Sequence, residues 1–243
     1  MKGVILAGGL GTRLYPLTHV TNKHLLPIYD QPMIYYPIQT LVKAGITDVM
    51  IISSGPHSGQ FIQILKNGTE FGIRHLEYGY QENPIGGLAD GLKIAEAFAQ
   101  GGPIAFLLGD NTTDANITPA VKAFKRGSVM FLKKVPDPRQ FGVPVFDKKD
   151  PKKIIGIVEK PKIPPSQYAS AGVYIFDNRC FDVAKKLKPS PRGQLEITDV
   201  QNFYIKDGTM KWYELDGFWR DAGSFDALLE ASTYWAKKKG VKV

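Results

Sequence analysis

The sequence predicts an α/β fold with a mostly parallel, mixed sheet, and three observations support this class. Short apolar runs rich in β-branched residues alternate with helical patterns through the first half of the chain, an arrangement typical of parallel strands covered by helices. From about Phe141 the alternation becomes irregular, which indicates antiparallel additions and a second lobe. The composition, 43% hydrophobic and 22% charged over 243 residues, is that of a globular protein with a sizeable core. We therefore expect one domain over residues 1–243, with two halves, about 1–135 and about 136–243.

The first half alternates predicted strands with predicted helices. The strands are Lys2–Ala7, Asp48–Ile52, His75–Tyr80, Ile104–Leu108 and Val129–Leu132. The helices are Pro32–Ala44, Gly59–Lys66, Leu88–Ala99 and Pro119–Lys125. Glycine after the last helical residue and proline at the first one mark several of these ends, and Thr118 is the expected N-cap of the fourth helix. Loops such as 8–13 and 109–113 then follow the carboxyl ends of parallel strands, which is where ligands bind in such sheets.

The second half contains strand-like runs separated by a proline-rich loop. The runs are Phe141–Phe146, Ile154–Glu159, Ala171–Phe176 and Met210–Leu215. Two helices are predicted, one over Ile197–Lys206 and one that begins after an N-cap at Ser224 and continues to Lys239.

Charge and cysteine content exclude several functional classes. The net charge of +8 suits nucleic acid or small anionic substrates, but the chain has no zinc-finger spacing and no basic stripe with interleaved aromatic residues, so we expect no nucleic-acid partner. No apolar run approaches the roughly 18 residues of a membrane span, so no membrane association is expected. The only cysteine, Cys180, excludes an internal disulfide and favours the cytoplasm. The four histidines form no ligand cluster and are assigned no role.

A glycine-rich turn, Gly8 to Arg13, follows the first strand. Such a turn lets backbone N–H groups approach an anion. A Walker A loop is excluded because Thr12 and Arg13 stand where lysine and serine or threonine are required, and a dinucleotide fingerprint is unfavoured because Leu14 replaces its third glycine. A turn without any ligand remains possible on these residues alone.

The residues that follow carry a family resemblance. The segments GGLGTRLYPLT at 8–18 and KHLLP at 23–27 resemble the signature of sugar-1-phosphate nucleotidylyltransferases, and IYDQPMIYYP at 28–37 is similar to the glucose-1-phosphate thymidylyltransferase branch. Further matches occur in the family's order across nearly the whole chain: LLGDN at 107–111, FGV at 141–143, EKP at 159–161, RGQLEITD at 192–199 and WRDAG at 219–223. The resemblance implies a three-layer, Rossmann-like nucleotidyltransferase fold with an added sugar-binding lobe.

The resemblance also implies a reaction and its cofactor. A glucose 1-phosphate oxygen would attack the α-phosphorus of dTTP, giving dTDP-glucose and pyrophosphate, in the biosynthesis of nucleotide sugars such as dTDP-rhamnose. Because two polyanions must meet, catalysis would consist mainly of positioning and charge neutralisation. Arg13, Lys23 and Asp110 are the catalytic candidates, and Asp110 with Asp221 would bind Mg²⁺. Without the family match, Arg13 and Lys23 would be ordinary surface cations and Asp221 a charge near a helix N-terminus.

The substrate-binding residues fall into two groups. The resemblance assigns the nucleotide to Leu6, Gly8, Gly9, Gly11, Thr12, Arg13, Lys23, Gln81, Gly86, Gly87 and Asp110. It assigns the sugar phosphate to Asn111, Gly142, Glu159, Lys160, Ser170 and Tyr174. Within these groups the Gln81 amide would read the base, Glu159 would accept from sugar hydroxyls and Lys160 would contact the sugar phosphate.

Departures from the family pattern leave the substrates open. QENPIGG at 81–87 differs from the usual QPSPDG, WRDAGS at 219–224 differs from WLDTGT, and Ser170 occupies a position that is often valine. An enzyme that uses UTP or CTP, or an amino-sugar phosphate, therefore remains an alternative. A non-catalytic nucleotide-sugar-binding subunit is the alternative from another class, and the presence of Arg13, Lys23 and both aspartates argues against it.

The resemblance further implies that longer family members carry a C-terminal helical extension that builds a feedback site for the nucleotide-sugar end product. Here 22 residues follow Asp221, enough for one helix of roughly 24 Å. The expectation is a homo-oligomer without that site, in which dTDP-rhamnose inhibits only at the active site.

Overall fold

Seven strands form the central sheet of the protein, described here from a computed structural model that covers residues 1–242. Six further strands of this range form three separate two-stranded pairs. All thirteen strands of residues 1–242, in chain order, are β1 (Lys2–Ala7), β2 (Pro27–Ile28), β3 (Gln31–Pro32), β4 (Asp48–Ser53), β5 (His75–Tyr80), β6 (Ile104–Leu108), β7 (Asn111–Thr113), β8 (Ser128–Lys134), β9 (Gly142–Phe146), β10 (Ile154–Glu159), β11 (Tyr168–Phe176), β12 (Met210–Glu214) and β13 (Trp219–Asp221). The helices are α1 (Tyr35–Lys43), α2 (Gly59–Leu65), α3 (Leu88–Ala99), α4 (Thr118–Ala123), α5 (Arg179–Lys186), α6 (Ile197–Lys206) and α7 (Phe225–Lys238).

The sheet has the order β12-β8-β11-β6-β1-β4-β5 and is mostly parallel. β1 lies between β6 and β4 and pairs in parallel with both, and β11 is antiparallel to both of its neighbours. Two strands of the second half therefore complete the sheet that the first half begins. The predicted α/β class with a mixed, mostly parallel sheet is confirmed.

Helices cover both faces of the sheet and produce three layers. Along β1, Ile5 and Ala7 join the core that includes residues of α1, α2 and α4, whereas Val4 and Leu6 join the core that includes residues of α3, α5 and α6. Alternate residues of a strand point to opposite faces, so a continuously apolar strand such as β1 belongs in the middle of a sheet covered on both sides.

Several predicted boundaries need correction. α1 begins at Tyr35 and not at Pro32, because the backbone N–H groups of Met33 and Ile34 donate to the preceding loop at Leu26 and His24. α4 begins one residue earlier than predicted, at Thr118, which is therefore not the N-cap; the Thr118 N–H donates to Oδ1 of Asn116 at 3.0 Å.

The strands of the second half do not all pair as antiparallel additions. β9 and β10 form a separate antiparallel pair, but β12 is parallel to β8 at the edge of the central sheet. α5 was not predicted; its buried residues Cys180, Phe181 and Ala184 give a short apolar stripe over only eight residues.

None of the helices in residues 1–242 is long and apolar enough to cross a membrane.

Candidate active site

One cleft of about 260 Å³ opens at the carboxyl ends of β1 and β6. It is bordered by the glycine loop after β1, by the loop after β5, and by residues of β9, β10, β11 and α6. The position matches the rule that ligands of open α/β sheets bind beyond the carboxyl ends of the strands. The cleft is lined by residues of both predicted halves.

The glycine loop turns sharply away from β1. Gly9 and Gly11 have φ values of 91° and 63°, in the left-handed region that glycine adopts without a steric penalty. The Gly9 N–H donates to Oγ of Ser54 at 3.0 Å, and the carbonyl of Gly11 accepts from Oγ1 of Thr18 at 2.9 Å. These bonds hold the loop open above the strand ends, and the helical turn Thr12–Leu14 then carries Arg13 to the cleft.

Asp110 lies two residues after the end of β6 and is 8% exposed. Its Oδ2 lies 2.5 Å from Nζ of Lys23, and its Oδ1 accepts from Nδ2 of Asn111 at 2.9 Å. The Lys23 ammonium, with the neighbouring Arg13, outweighs the effect of burial and holds the pKa of Asp110 well below its usual range. The carboxylate is therefore charged at neutral pH, as a metal ligand must be.

Asp221 reaches the same cleft from a distant part of the chain. β13 pairs with β7 in an antiparallel ribbon in which Asp221 stands opposite Asn111, and the Ala222 N–H donates to the Asp110 carbonyl at 2.8 Å. Burial and the negative charge of Asp110 raise the pKa of Asp221. Two carboxylates that repel each other form a favourable site for a cation.

These two aspartates fit a magnesium ion better than a transition metal. Mg²⁺ usually takes one or two carboxylates and completes its shell with water and substrate phosphates. Within residues 1–242 there is no group of three His, Cys, Asp or Glu side chains arranged to hold a metal by themselves. Two aspartates alone would leave coordination positions open for phosphate oxygens.

Arg13 lies beside this carboxylate pair. A methyl group built on Gly223 would lie 2.7 Å from Nη2 of Arg13 and 2.8 Å from Oδ1 of Asp221. Glycine at 223 therefore lets the guanidinium and the carboxylate approach the same backbone. The arrangement places a permanent cation next to the expected phosphate position.

The opposite wall carries the predicted sugar-phosphate residues. Glu159 is partly buried, and its Oε1 lies 3.2 Å from Nη1 of Arg192. Burial and the nearby charge of Glu196 raise the pKa of Glu159, and burial together with Arg192 lowers that of Lys160. Lys160 also has a φ of 42°, in the left-handed region that non-glycine residues adopt uncommonly.

Ser170 and Tyr174 of β11 line the buried part of the cleft on this side. Ser170 Oγ donates to the hydroxyl of Tyr174 at 3.0 Å, and both side chains are buried. Gly142 lies against Thr198, since a methyl group on this glycine would lie 2.8 Å from the Thr198 Cγ2.

Most of the residues proposed from sequence lie together in the cleft. They are Leu6, Gly8, Gly9, Arg13, Lys23, Gln81, Gly87, Asp110, Gly142, Glu159, Lys160, Ser170, Tyr174 and Asp221. Gly11, Thr12, Gly86 and Asn111 do not line it. Asn111 is buried beside Asp110, to which its Nδ2 donates, and packs on Gly172.

Sequence reasoning missed several cleft residues. His24 packs on Gly109, where a methyl group would lie 2.7 Å from the histidine Cδ2. Arg192 contacts Glu159 and Glu196 from a loop before α6. The motifs KHLLP and RGQLEITD contain these residues, but only the folded chain shows that their side chains face the cleft.

His24 is neutral in the folded protein. Burial and the adjacent Lys23 lower its pKa to about 3. Its Nδ1 lies 2.6 Å from Oδ1 of Asn22, and the Nδ2 of the same amide donates to the carbonyl of Ala7. Because the amide oxygen faces the ring, Nδ1 carries the proton.

Comparison with known proteins finds relatives that match nearly the whole chain. The profile of the nucleotidyl transferase family matches residues 2–238. The chain is 43% identical to the glucose-1-phosphate thymidylyltransferase of Neisseria gonorrhoeae over 240 residues, which is 96% of this chain and 82% of that protein. It is 37% identical to the enzyme of the same name from Mycobacterium tuberculosis (strain CDC 1551 / Oshkosh), covering 100% of this chain and 86% of that protein.

Solved structures share the fold. The crystal structure of a Bacillus anthracis protein described as a glucose-1-phosphate thymidylyltransferase, in complex with sucrose, superposes with a TM-score of 0.90 at 44% identity, covering 96% of this chain and 94% of that one. A UDP-glucose pyrophosphorylase solved with UDP-glucose superposes with a TM-score of 0.83 at 24% identity, covering 98% of both chains. At that identity the second comparison supports the Rossmann-like nucleotidyltransferase fold alone.

Proposed function

Because the chain belongs to the nucleotidyl transferase family, we infer that it transfers a deoxythymidylyl group from dTTP to α-D-glucose 1-phosphate, releasing dTDP-glucose and pyrophosphate. The observation that carries this inference is the cleft itself, in which a glycine loop, two cations and two carboxylates face a second wall with Glu159 and Lys160. The relatives named glucose-1-phosphate thymidylyltransferase match this chain over nearly its full length. The alternative functions, use of UTP or CTP and a non-catalytic binding role, receive no such support.

The residues of the glycine-loop side would hold the triphosphate. The backbone at Gly9, where a methyl group would meet no atom within 4 Å, leaves room for phosphate oxygens, and the Arg13 guanidinium would neutralise the pyrophosphate as it leaves. The Lys23 side chain would turn its ammonium group from Asp110 toward the α-phosphate, where negative charge increases during the attack. These are electrostatic roles, and no covalent nucleophile is required.

Asp110 and Asp221 would bind Mg²⁺. A bound divalent ion supplies charge stabilisation for phosphate oxygens and a template that orients them. The support from this chain is the donor chemistry: Asp110, in the turn between β6 and β7, and Asp221, at the end of β13, present two carboxylates, and burial together with the charge of Asp110 raises the pKa of Asp221.

The second wall would orient the acceptor. Glu159 would accept hydrogen bonds from sugar hydroxyls, and Lys160 would pair with the sugar phosphate so that its oxygen approaches the α-phosphorus in line. Ser170 and Tyr174 would shape the pocket for the ring. Arg192 pairs with Glu159 and would help to orient this carboxylate toward the sugar.

We also propose that the enzyme works in the cytoplasm as a homo-oligomer. The single, buried Cys180 suits a reducing compartment. Light scattering coupled to size-exclusion chromatography gives the oligomer size directly.

The decisive experiment is a substrate panel. Purified protein with Mg²⁺ is supplied with each of dTTP, UTP, CTP, ATP and GTP against glucose 1-phosphate and amino-sugar or epimeric 1-phosphates, and pyrophosphate release is followed. We expect the highest kcat/KM for dTTP with glucose 1-phosphate. Preference for CTP, or absence of turnover with any pair, contradicts the proposed function.

A further inference from the structure

The side-chain amide of Gln81 is held in one orientation by two acceptors. Gln81 follows β5 and is 3% exposed. Its Nε2 donates to the carbonyl oxygen of Gly87 and to Oδ2 of Asp90, both at 3.1 Å. A carbonyl and an ionised carboxylate have no proton to give. The NH₂ group must therefore face them, and the opposite orientation of the amide would bring its oxygen against two oxygens.

The oxygen of the same amide is turned toward the nucleotide side of the cleft. A methyl group built on Gly8 would lie 2.9 Å from Oε1 of Gln81, so this oxygen points at the start of the glycine loop. Gln81, Gly8 and Gly87 all line the cleft. Within residues 1–242 no hydrogen bond to Oε1 is formed, which leaves a lone hydrogen-bond acceptor directed at the site.

Asp90 is itself immobilised. It lies in the first turn of α3, and its Oδ1 pairs with Nζ of Lys93, one helical turn later, at 2.6 Å. A negative side chain in the first turn is also favoured by the helix dipole. A methyl group on Gly86 would lie 2.9 Å from Oδ2 of Asp90, so glycine at 86 leaves room for the carboxylate beside the Gln81 amide.

A fixed acceptor distinguishes the pyrimidines. Thymine and uracil carry a donor N–H at N3, whereas cytosine carries a bare acceptor nitrogen there. An acceptor facing an acceptor leaves both groups without a hydrogen bond in a desolvated site, which is costly. An amide that could rotate would accept from one base and donate to the other.

We propose that Asp90 is a positioning residue for base selection: by fixing the amide of Gln81 it makes the site demand an N3–H, so that thymine and uracil are used and cytosine is rejected. Asp90 does not contact the reacting atoms. This inference rests on the proposed function, because it assigns Gln81 to the base of the nucleoside triphosphate.

The test compares dTTP, dUTP and dCTP, which share the deoxyribose triphosphate. In the wild-type enzyme we expect kcat/KM for dTTP to exceed that for dCTP by roughly 10³ or more, the range reached by sites built around one polar group of the substrate. In Asp90→Asn the new amide can donate or accept, which leaves the Gly87 carbonyl as the only remaining fixed acceptor for the Gln81 amide. The rotated amide is then less costly, and we expect the dTTP-to-dCTP ratio to fall by about 10- to 100-fold. The dTTP-to-dUTP ratio should stay unchanged, since both bases carry the N3–H.

Glu96→Gln is the matched control. It makes the same carboxylate-to-amide change on α3, at a residue that pairs with Lys185 through a 2.6 Å contact outside the cleft. Its dTTP-to-dCTP ratio should equal that of the wild type. A loss of helix stability alone would lower all three kcat/KM values together and leave the ratios unmoved.

The outcomes separate the two inferences. If the wild type turns over dTTP but Asp90→Asn keeps the wild-type dTTP-to-dCTP ratio, the role of Asp90 is wrong and the proposed function stands. If the wild type uses no deoxynucleotide, the proposed function fails first. Should Asp90→Asn not fold, Asp90→Ser gives the same test, because a hydroxyl also donates or accepts; equilibrium binding of dTTP and dCTP then reports the ratio without turnover.

Discussion

The ammonium of Lys23 lies 2.5 Å from the Asp110 carboxylate, although 87 residues separate them in the chain. Both side chains are largely buried, with 15% and 11% of their surface exposed. A buried pair of this kind is costly to break from one side, since the remaining charge stays desolvated. The pair therefore fixes both charges in one position at the cleft, and it keeps the Asp110 carboxylate ionised.

Replacing either proposed metal ligand should nearly abolish turnover. In Asp110→Asn or Asp221→Asn a single carboxylate must hold the cation, and we expect kcat/KM to fall by at least about 10²-fold. Pyrophosphate release measured across a Mg²⁺ titration checks this, with EDTA as the metal-free reference. Asp226→Asn, an exposed carboxylate at the start of α7, is the control. Near-normal activity in one variant would remove that residue from the metal site.

Arg13→Ala should act on the rate more than on sugar-phosphate binding. The guanidinium lies next to Asp221 at Gly223, where the pyrophosphate is expected. Loss of one fixed donor to transition-state charge costs on the order of 10²–10³ in kcat. Steady-state kinetics with varied glucose 1-phosphate measures this, and Arg139→Ala, a surface ion-pair arginine, should behave as wild type. A changed KM for glucose 1-phosphate with an unchanged kcat would place Arg13 on the other substrate.

Lys160→Ala should weaken glucose 1-phosphate more than dTTP. The lysine directly follows Glu159 at the end of β10, in the wall that carries the predicted sugar-phosphate residues. We expect the KM for the sugar phosphate to rise by about tenfold or more, the loss of one charge-assisted contact. Lys162→Ala, an exposed lysine two residues later, provides the comparison. Equal effects on both substrates would show that Lys160 contacts a shared phosphate.

Burial of neutral His24 should make the fold sensitive to acid. Its pKa is about 3 in the folded protein against 6.5 for the free side chain, so the unfolded chain binds the proton first as the pH falls. The contribution of His24 is fully present above pH 6.5 and is lost progressively between pH 6.5 and 3. Between pH 7 and 4.5 the loss is on the order of 2 kcal/mol.

Urea unfolding at these two pH values tests the effect. His24→Gln has no proton to gain, so the free energy of unfolding should depend less steeply on pH than in the wild type. His19→Gln changes an exposed histidine and should leave the slope as it is. If the free energy of unfolding of His24→Gln depends on pH as steeply as that of the wild type, then His24 is protonated in the folded protein or does not contribute to the pH dependence.

Asp114 should be a stability residue for the C-terminal helix. Its Oδ1 accepts from the Phe218 N–H at 2.7 Å, and its Oδ2 accepts from the Tyr234 hydroxyl at 2.5 Å and pairs with the Lys238 ammonium. Asp114→Ala leaves these donors unpaired, and we expect a loss of about 2–3 kcal/mol in the free energy of unfolding. Chemical denaturation measures it, with the exposed Asp226→Ala as control. A change below 0.5 kcal/mol, roughly that of an ordinary surface substitution, would contradict this role.

Local patterns were enough to predict the regular elements. β1, β5, β6, β10, α3 and α6 have the bounds expected from the sequence. In these segments apolar periodicity and helix-terminating residues such as Gly101 act over a few neighbours. The glycine loop and the types of residue in the site were likewise visible as motifs.

Pairing between distant segments was not predictable from such patterns. β7 and β13 are three residues each and largely polar, and they are recognisable as strands only because each supplies the other's hydrogen bonds across the sequence. The same holds for β12, whose parallel pairing with β8 depends on how α6 returns the chain.

The sequence by itself determined which chemical groups this protein has and which local elements carry them, because propensity, periodicity and turn residues depend on near neighbours. Only the tertiary structure decided how those groups face one another: that Asp110 is paired with Lys23, that Asn111 turns inward, that Arg192 meets Glu159, and that Asp90 fixes the amide of Gln81. Those relations depend on burial and on contacts a few ångströms long between segments far apart in the chain, which come into existence only when the core packs.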